Sequence, residues 1–267
     1  MKSYLTLAQA VLEFGEFRED RTGTGTYSLF SPGELRYNMQ NGFPIVTTKR
    51  VAWKSVVWEL LWFLQGGTNA KWLQARGVRI WNEWADNEGE LGPIYGKQWR
   101  AWPTYEGSTI DQIARVCDEI ISNPQSRRLV VSAWNVADLQ KMALPPCHLL
   151  FQFFVSNGTL SIKIYQRSVD IFLGLPFNIS SYALLLSVIA QISGLRPKDI
   201  IFTFGDAHIY SNHVPQMREQ LSREPMPLPS LRMPLFGKLE DIAKFRAEDF
   251  VLDNYTHHSE LKGKISV

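Results

Sequence analysis

Sulfur is scarce in this chain, with two cysteines, Cys117 and Cys147, among 267 residues. They could form one bridge at most, and no Cys/His spacing matches a zinc site, so neither a disulfide scaffold nor a metal centre is expected. Both are read as reduced thiols. A continuous run of eighteen or so apolar residues is missing, and Met1-Lys2-Ser3-Tyr4-Leu5 leads into Glu13, Glu16 and Glu19 without a signal-peptide core. The expectation is therefore a cytoplasmic protein with no membrane partner. Charge of one sign is missing too: the formal net charge is +2 and the basic residues are scattered. That is too little for a DNA-coating surface and leaves small anions as the charged ligands. Internal repeats and low-complexity tracts are absent. With 45% hydrophobic residues, the chain can build one large core, and 1–267 reads as a single domain.

Cys147 is the more informative thiol. It follows Leu144-Pro145-Pro146 and precedes His148 and the apolar Leu149, Leu150 and Phe151. Asn157-Gly158 is a strong hairpin signal between residues 148–156 and the alternating stretch 159–168. Counting outward from that turn brings Cys147 opposite the end of the second strand, beside Arg167 and Ser168. A guanidinium there favours thiolate and also suits an anionic ligand. The competing reading makes Cys147 a small buried hydrophobe, the usual state of a free cysteine. His148, adjacent on a strand, points to the opposite face, which argues against a direct relay to Cys147 and against a thiol hydrolase.

Periodicity predicts a helix over 4–16, a glycine- and threonine-rich loop over 20–26, and a strand over 27–30. The loop is either a phosphate cradle or a plain connector. Residues 54–64 form an apolar helix stopped by Gly66-Gly67, with Glu59 either buried and functional or facing solvent. A surface helix over 109–122 carries Cys117 on its apolar face and ends at Asn123-Pro124. Arg127 and Arg128, before a strand over 129–134, read as solvated or as a second anion clamp, with solvation favoured. Residues 178–193 form a long buried helix capped by Asn178 and closed by Gly194. A short strand over 200–204, a helix over 211–222 and a proline-rich extended region from Arg223 follow. Without regular βαβ alternation, the fold class is α+β, a mixed β-sheet with a buried long helix and surrounding helices.

Six segments stand in order: Asp20-Arg21-Thr22-Gly23-Thr24-Gly25-Thr26, Glu59 to Leu64, Gly92 to Arg100 around Tyr95, Pro146-Cys147-His148, Gln166 to Asn178, and Gly205-Asp206-Ala207-His208-Ile209-Tyr210. Together they resemble the thymidylate synthase family over essentially the full chain. That resemblance implies reductive methylation of dUMP to dTMP by methylenetetrahydrofolate, with Cys147 adding to carbon 6 of the pyrimidine because the ring is otherwise a poor carbon nucleophile. Arg167 would hold both thiolate and phosphate, with Arg21 and Ser168 on the near side of the phosphate site and Gln166 within the nucleotide site. Arg127 and Arg128 would reach it from the second subunit of a homodimer, which overturns the solvated reading of that pair. Asn178 would read the uracil edge, and His208 and Tyr210 the sugar hydroxyl. Glu59, with Tyr95, His148 and ordered water, would organise proton transfers. For the reduced folate, the resemblance implies an apolar wall of Trp81, Trp84, Leu173, Gly174 and Phe177, with Asp170 on the pterin and Lys49 at the glutamyl tail. Ile265-Ser266-Val267 would close over it.

Some positions depart from the family pattern. Thr256-His257-His258-Ser259-Glu260 lacks the proline-bearing sequence before the tail, Asn82 replaces an aspartate, and Ala52 replaces a histidine found in some members. The departures touch tail ordering and folate contacts rather than nucleotide chemistry. The nearest alternative is a pyrimidine 5-hydroxymethyltransferase of the same family, in which water instead of hydride quenches the one-carbon unit. Asn178 argues against a cytidylate enzyme, and Trp81 is placed to exclude water; a dUMP 5-hydroxymethyltransferase fits Asn178 equally well. A nucleotide binder without turnover has no need of a thiol.

Overall fold

The computed structural model describes residues 1–266; Val267, part of the expected closing segment, lies outside them. Helices α1 (Lys2–Phe14), α2 (Trp53–Leu64), α3 (Lys71–Gln74), α4 (Tyr95–Arg100), α5 (Gln112–Ser122), α6 (Gly174–Ile192) and α7 (Val214–Leu221) surround one large sheet. Its strands are β1 (Glu16–Arg18), β2 (Thr26–Phe30), β3 (Leu35–Asn38), β6 (Val130–Ser132), β7 (His148–Ser156), β8 (Thr159–Asp170) and β9 (Arg196–Tyr210). Two small ladders, β4 (Trp102–Pro103) with β5 (Thr109–Ile110) and β10 (Ser230–Arg232) with β11 (Val251–Asp253), lie apart from it. The large sheet runs β1-β2-β9-β8-β7-β6, with β3 also on β9; β8 and β9 are parallel and the other pairs antiparallel. This is the expected α+β class.

The hairpin forms where the turn signal placed it. Asn157 and Gly158 both have positive φ, 50° and 69°, as a two-residue turn of the mirror-image type requires. Ser156 pairs with Thr159 and His148 with Gln166, and Arg167 N donates to Cys147 O at 2.8 Å. The inferred adjacency of Cys147 and Arg167 is therefore built into the ladder.

The long helix is the crossover that lets β8 and β9 run parallel. From Leu175 to Ala190 it is almost wholly buried, which accounts for its polar interruptions: length and apolarity alone would allow a membrane span, but 78% of that window is buried. Its start differs from expectation. The helix begins at Gly174, four residues before Asn178; Pro176 fits a first turn that needs no N–H, and just ahead of it Asp170 Oδ1 accepts from Phe172 N at 2.8 Å and Leu173 N at 3.1 Å. Asn178 is thereby released from capping.

Other boundaries moved for local reasons. Gly15 ends α1 at Phe14, and Glu16 enters β1. Asp111 caps α5 by accepting from Ala114 N at 3.0 Å, so Thr109 and Ile110 lie before the helix in a short strand. The strand expected to end at Phe204 continues to Tyr210 through Gly205. Gly205 is required there, since a Cβ would lie 2.6 Å from Arg167 O on β8. Gly205→Ala is expected to cost about 1–3 kcal/mol through overpacking against fixed backbone, measured as a lower denaturation midpoint, with turnover reduced because the strand carrying Arg167 must shift. An unchanged midpoint and rate would show that the close approach is relieved at no cost.

Candidate active site

Side-chain alternation assembles one wall of the site. Along β8, Gln166, Ser168 and Asp170 share a face; in register beside them on β9 stand Asp206 opposite Ser168 and His208 opposite Asp170, and on β2 Thr26 pairs with Tyr210 and Ser28 with His208. Period-two geometry therefore gathers polar groups from three strands onto one surface. The floor is Cys147, at the start of the hairpin. Helix α2, the Ile80–Trp84 segment and α6 supply the opposite, apolar wall. Together these residues line a cleft of about 950 Å³, large enough for two small molecules side by side.

Most of the expected residues meet there: Arg21, Glu59, Trp81, Trp84, Tyr95, Cys147, His148, Arg167, Ser168, Asp170, Leu173, Gly174, Phe177, Asn178, His208, Tyr210 and Ser266 all line the cleft. Four do not. Gln166 is fully buried and stands behind Asn178, donating from Nε2 to Asn178 Oδ1 at 2.8 Å. Lys49 is turned inward: it is 5% exposed, donates from Nζ to Phe172 O and lies 3.6 Å from the Phe172 ring centre. Burial pushes its pKa down to about 8, against the opposing pull of the Asp170 carboxylate. Lys49 thus braces the segment after Asp170 instead of facing a glutamyl tail. Arg127 and Arg128 are exposed before β6 and outside the cleft of their own chain.

Cys147 is the partly exposed thiol; Cys117 is sealed inside α5, where burial pushes its pKa up to about 12. The expected activation of Cys147 needs correction, since its pKa lies above the ordinary thiol value. Burial raises it more than the Arg167 guanidinium lowers it, and Asp170 adds to the rise. The resting group is a thiol. Arg167 meanwhile holds the loop beneath it, donating from Nε to Pro146 O at 2.8 Å and from Nη2 to Pro145 O at 2.9 Å. Its Nη1 has no protein partner among the described residues, which leaves it for an anion.

Glu59 does not face solvent. Residues Val56 to Leu64 are buried on every side of α2, so the helix offers no polar face there. The carboxyl is 9% exposed and accepts from Trp81 Nε1 at 2.8 Å; burial outweighs that hydrogen bond and lifts its pKa to about 7. A carboxyl poised there can both give and take a proton. His148 is buried as well, and burial lowers its pKa to about 3, so the imidazole is neutral. Its ring stacks on Tyr95 at 4.1 Å and 14°, and Tyr95 OH accepts from Cys147 N at 2.7 Å.

The apolar wall holds Trp81 and Trp84 edge to face at 5.8 Å, with Leu173, Phe177, Ile80 and Leu144 around them. Asp170 spends Oδ1 on backbone amides, and its Oδ2 has no hydrogen bond among the described residues. A flat heteroaromatic ring carrying donors fits between those groups. On the polar side, His208 Nδ1 meets Asp206 Oδ1 at 2.8 Å. Burial raises the pKa of Asp206, but hydrogen bonds from His208 and Ser28 and the charges of His208 and Arg18 bring it below the usual carboxylate range.

The loop 20–26 is shaped by Asp20, whose carboxylate accepts from Thr22 N, Thr22 Oγ1 and Gly25 N. The tail rests on this loop, since Thr24 Oγ1 donates to Ser266 Oγ at 3.1 Å and His213 Nε2 bonds Lys264 O at 2.9 Å. The unusual stretch 256–260 is also pinned. His258 N donates to Thr47 O, His258 Nε2 bonds Glu224 O, and Arg223 donates to Ser259 O at 2.8 Å.

Sequence reading missed Tyr182 and gave no role to Asp206. Tyr182 had a signal, since it lies four residues after Asn178 on the same helix face. Asp206 had one also, two residues before His208 on a strand. Among the described residues no cluster of metal-ligating side chains occurs.

A family model described as Thymidylate synthase matches residues 2–267. With a thiol, a buried carboxyl and an apolar wall converging in one cleft, and that match spanning essentially the whole sequence, the chain belongs to the thymidylate synthase family of methyltransferases.

Proposed function

We propose that this protein converts dUMP to dTMP by reductive methylation. The observation that carries the reading is the placement of the half-buried Cys147 thiol between a polar wall suited to a nucleotide and an apolar wall suited to a reduced folate. Methylenetetrahydrofolate, when bound, supplies the one-carbon unit and the hydride. The protein does the rest. Arg167 Nη1, Arg21 and Ser168 bind the phosphate, and His208 and Tyr210 hold the sugar hydroxyl. Gln166 fixes the Asn178 amide so that its NH₂ donates to the pyrimidine carbonyl. Once the Cys147 thiol proton has passed to solvent in the open cleft, Sγ adds to carbon 6, and the cost of the buried thiolate is offset as the negative charge passes to the ring carbonyl. Glu59, near neutrality in its titration, moves protons at the same ring. Trp81, Trp84, Leu173, Gly174 and Phe177 exclude water around the folate, with Asp170 Oδ2 as acceptor for the pterin; Ser266 and the tail cover it.

The active unit in this reading is a cytoplasmic homodimer. Support comes from the sheet face opposite α6, where Val130, Leu150, Phe154 and Tyr165 are 39%, 38%, 66% and 36% exposed. They are apolar residues on one exposed sheet face, with Leu150 paired to Tyr165 and the Gln152–Lys163 pair between them and Phe154. A second copy seated there across a two-fold axis covers it and brings Arg127 and Arg128 to the neighbouring phosphate site. Phe154→Glu is expected to give monomers in light scattering and to lose turnover; a fully active monomer would remove the shared-site element.

Incubating the chain with dUMP and methylenetetrahydrofolate tests the chemistry, with the nucleotide identified by mass and dihydrofolate followed by absorbance. Equal amounts of dTMP and dihydrofolate are expected. Appearance of 5-hydroxymethyl-dUMP without folate oxidation would replace this reading with the hydroxymethyltransferase.

A further inference from the structure

Tyr182 lies on α6, 2% exposed, one helical turn beyond Asn178. Its hydroxyl meets His148 Nδ1 at 2.7 Å, with the rings perpendicular at 5.3 Å. His148 is the only hydrogen-bond partner of that hydroxyl among the described residues. Two arrangements of this bond are possible, and burial distinguishes them. If the imidazole donated from Nδ1, the Tyr182 hydrogen would be left without an acceptor in a sealed core, at the desolvation cost of an unmade bond. If Tyr182 donates, both its hydroxyl hydrogen and His148 Nδ1 are satisfied. The ring proton then sits on Nε2, which has no protein partner and is not sealed away, on a side chain that lines the cleft.

We propose that Tyr182 is a positioning residue that donates its hydroxyl hydrogen to His148 Nδ1 and so holds the imidazole in the tautomer presenting Nε2–H to the cleft. The inference rests on the reaction proposed above for its catalytic consequence, but not for its geometry. His148 is thereby a fixed donor and not a base. It stabilises the negative charge that collects on the pyrimidine carbonyl, directly or through water, as sulfur adds to carbon 6. Tyr95, stacked on the ring, sets its plane, while Tyr182 sets which nitrogen carries the proton. Because imidazole is already neutral over the working pH range, the tautomer is the remaining variable of this group.

The test begins with the unaltered protein. Nitrogen-15 spectra of the five histidines, with His148 assigned by its loss in His148→Gln, are expected to show protonation at Nε2. Protonation at Nδ1 would overturn the proposal whatever reaction the protein performs. Tyr182→Phe, which keeps the ring, is expected to mix the tautomers and lower kcat by about 10- to 100-fold, the range for losing a group that orients an active-site histidine, with KM for dUMP nearly unchanged. In a His148→Gln background the same change should have no further effect; an equal loss there would mean that Tyr182 acts only through packing, and would sink the positioning role. Absence of any dTMP from the unaltered protein would instead count against the proposed reaction, since the spectra do not depend on it.

Discussion

Cys147→Ser is expected to lower dTMP formation by about four orders of magnitude or more, the scale on which a covalent nucleophile is lost. A serine hydroxyl at this site has neither the acidity nor the softness to add to a pyrimidine carbon. Burial already raises the Cys147 pKa above the ordinary thiol value, and an alkoxide in the same place is far less accessible still. The proposed nucleotide contacts lie elsewhere, on Arg21, Arg167, Ser168, Asn178, His208 and Tyr210, so dUMP affinity by titration should change only a few-fold. A nucleotide adduct detected by mass in the presence of a folate analogue should disappear. A serine variant within tenfold of the original rate would rule out the covalent route.

Glu59→Gln should separate stability from activity. The folded pKa of about 7 lies above the ordinary carboxyl value because the group is buried. Its contribution to stability is therefore fully present below the unfolded pKa and is lost as pH rises through about 7. Across that window the penalty for holding the ionised form approaches about 3 kcal/mol. Glutamine carries no such charge and can still accept from Trp81 Nε1. The variant should be the more stable protein in denaturant at pH 8, with the gap closing towards pH 4.5, while turnover falls by about 10²- to 10⁴-fold for loss of a proton-transfer group. A gap of equal size at both pH values would show that Glu59 titrates normally.

Local chemistry made the centre of the molecule legible. The Asn157-Gly158 turn fixes a register, and from that register alone Cys147 and Arg167 become neighbours. The buried character of residues 178–193 was equally plain, since apolar side chains surround that helix on all sides. What the sequence could not disclose were outcomes of competition between neighbours. Asn178 is a good capping residue, yet the helix has already started at Gly174, where Pro176 tolerates the earlier first turn and no side chain caps it. Arg167 favours a thiolate, yet desolvation of Cys147 is the larger effect. Glu59 permitted two readings until the neighbours of α2 enclosed it. The resemblance offered Lys49 to a glutamyl tail, and only the fold shows its ammonium turned onto Phe172. Arg127 and Arg128 lie outside the cleft of their own chain, and the role the resemblance implies for them belongs to the proposed dimer.

One helix carries two kinds of constraint. The first turns of α6 hold Asn178 at the cleft and Tyr182 behind it against His148, whereas Leu184 to Ala190 meet only core. At 1.5 Å per residue the carboxyl end of the helix lies about 20 Å from Asn178, beyond the range over which substitutions usually interfere with one another. On the proposed reading of Asn178, base preference and heat tolerance can therefore be altered on the same element by independent steps. A lineage that changes its pyrimidine at the amino end keeps its core, and one that adapts its core to a new temperature keeps its pyrimidine.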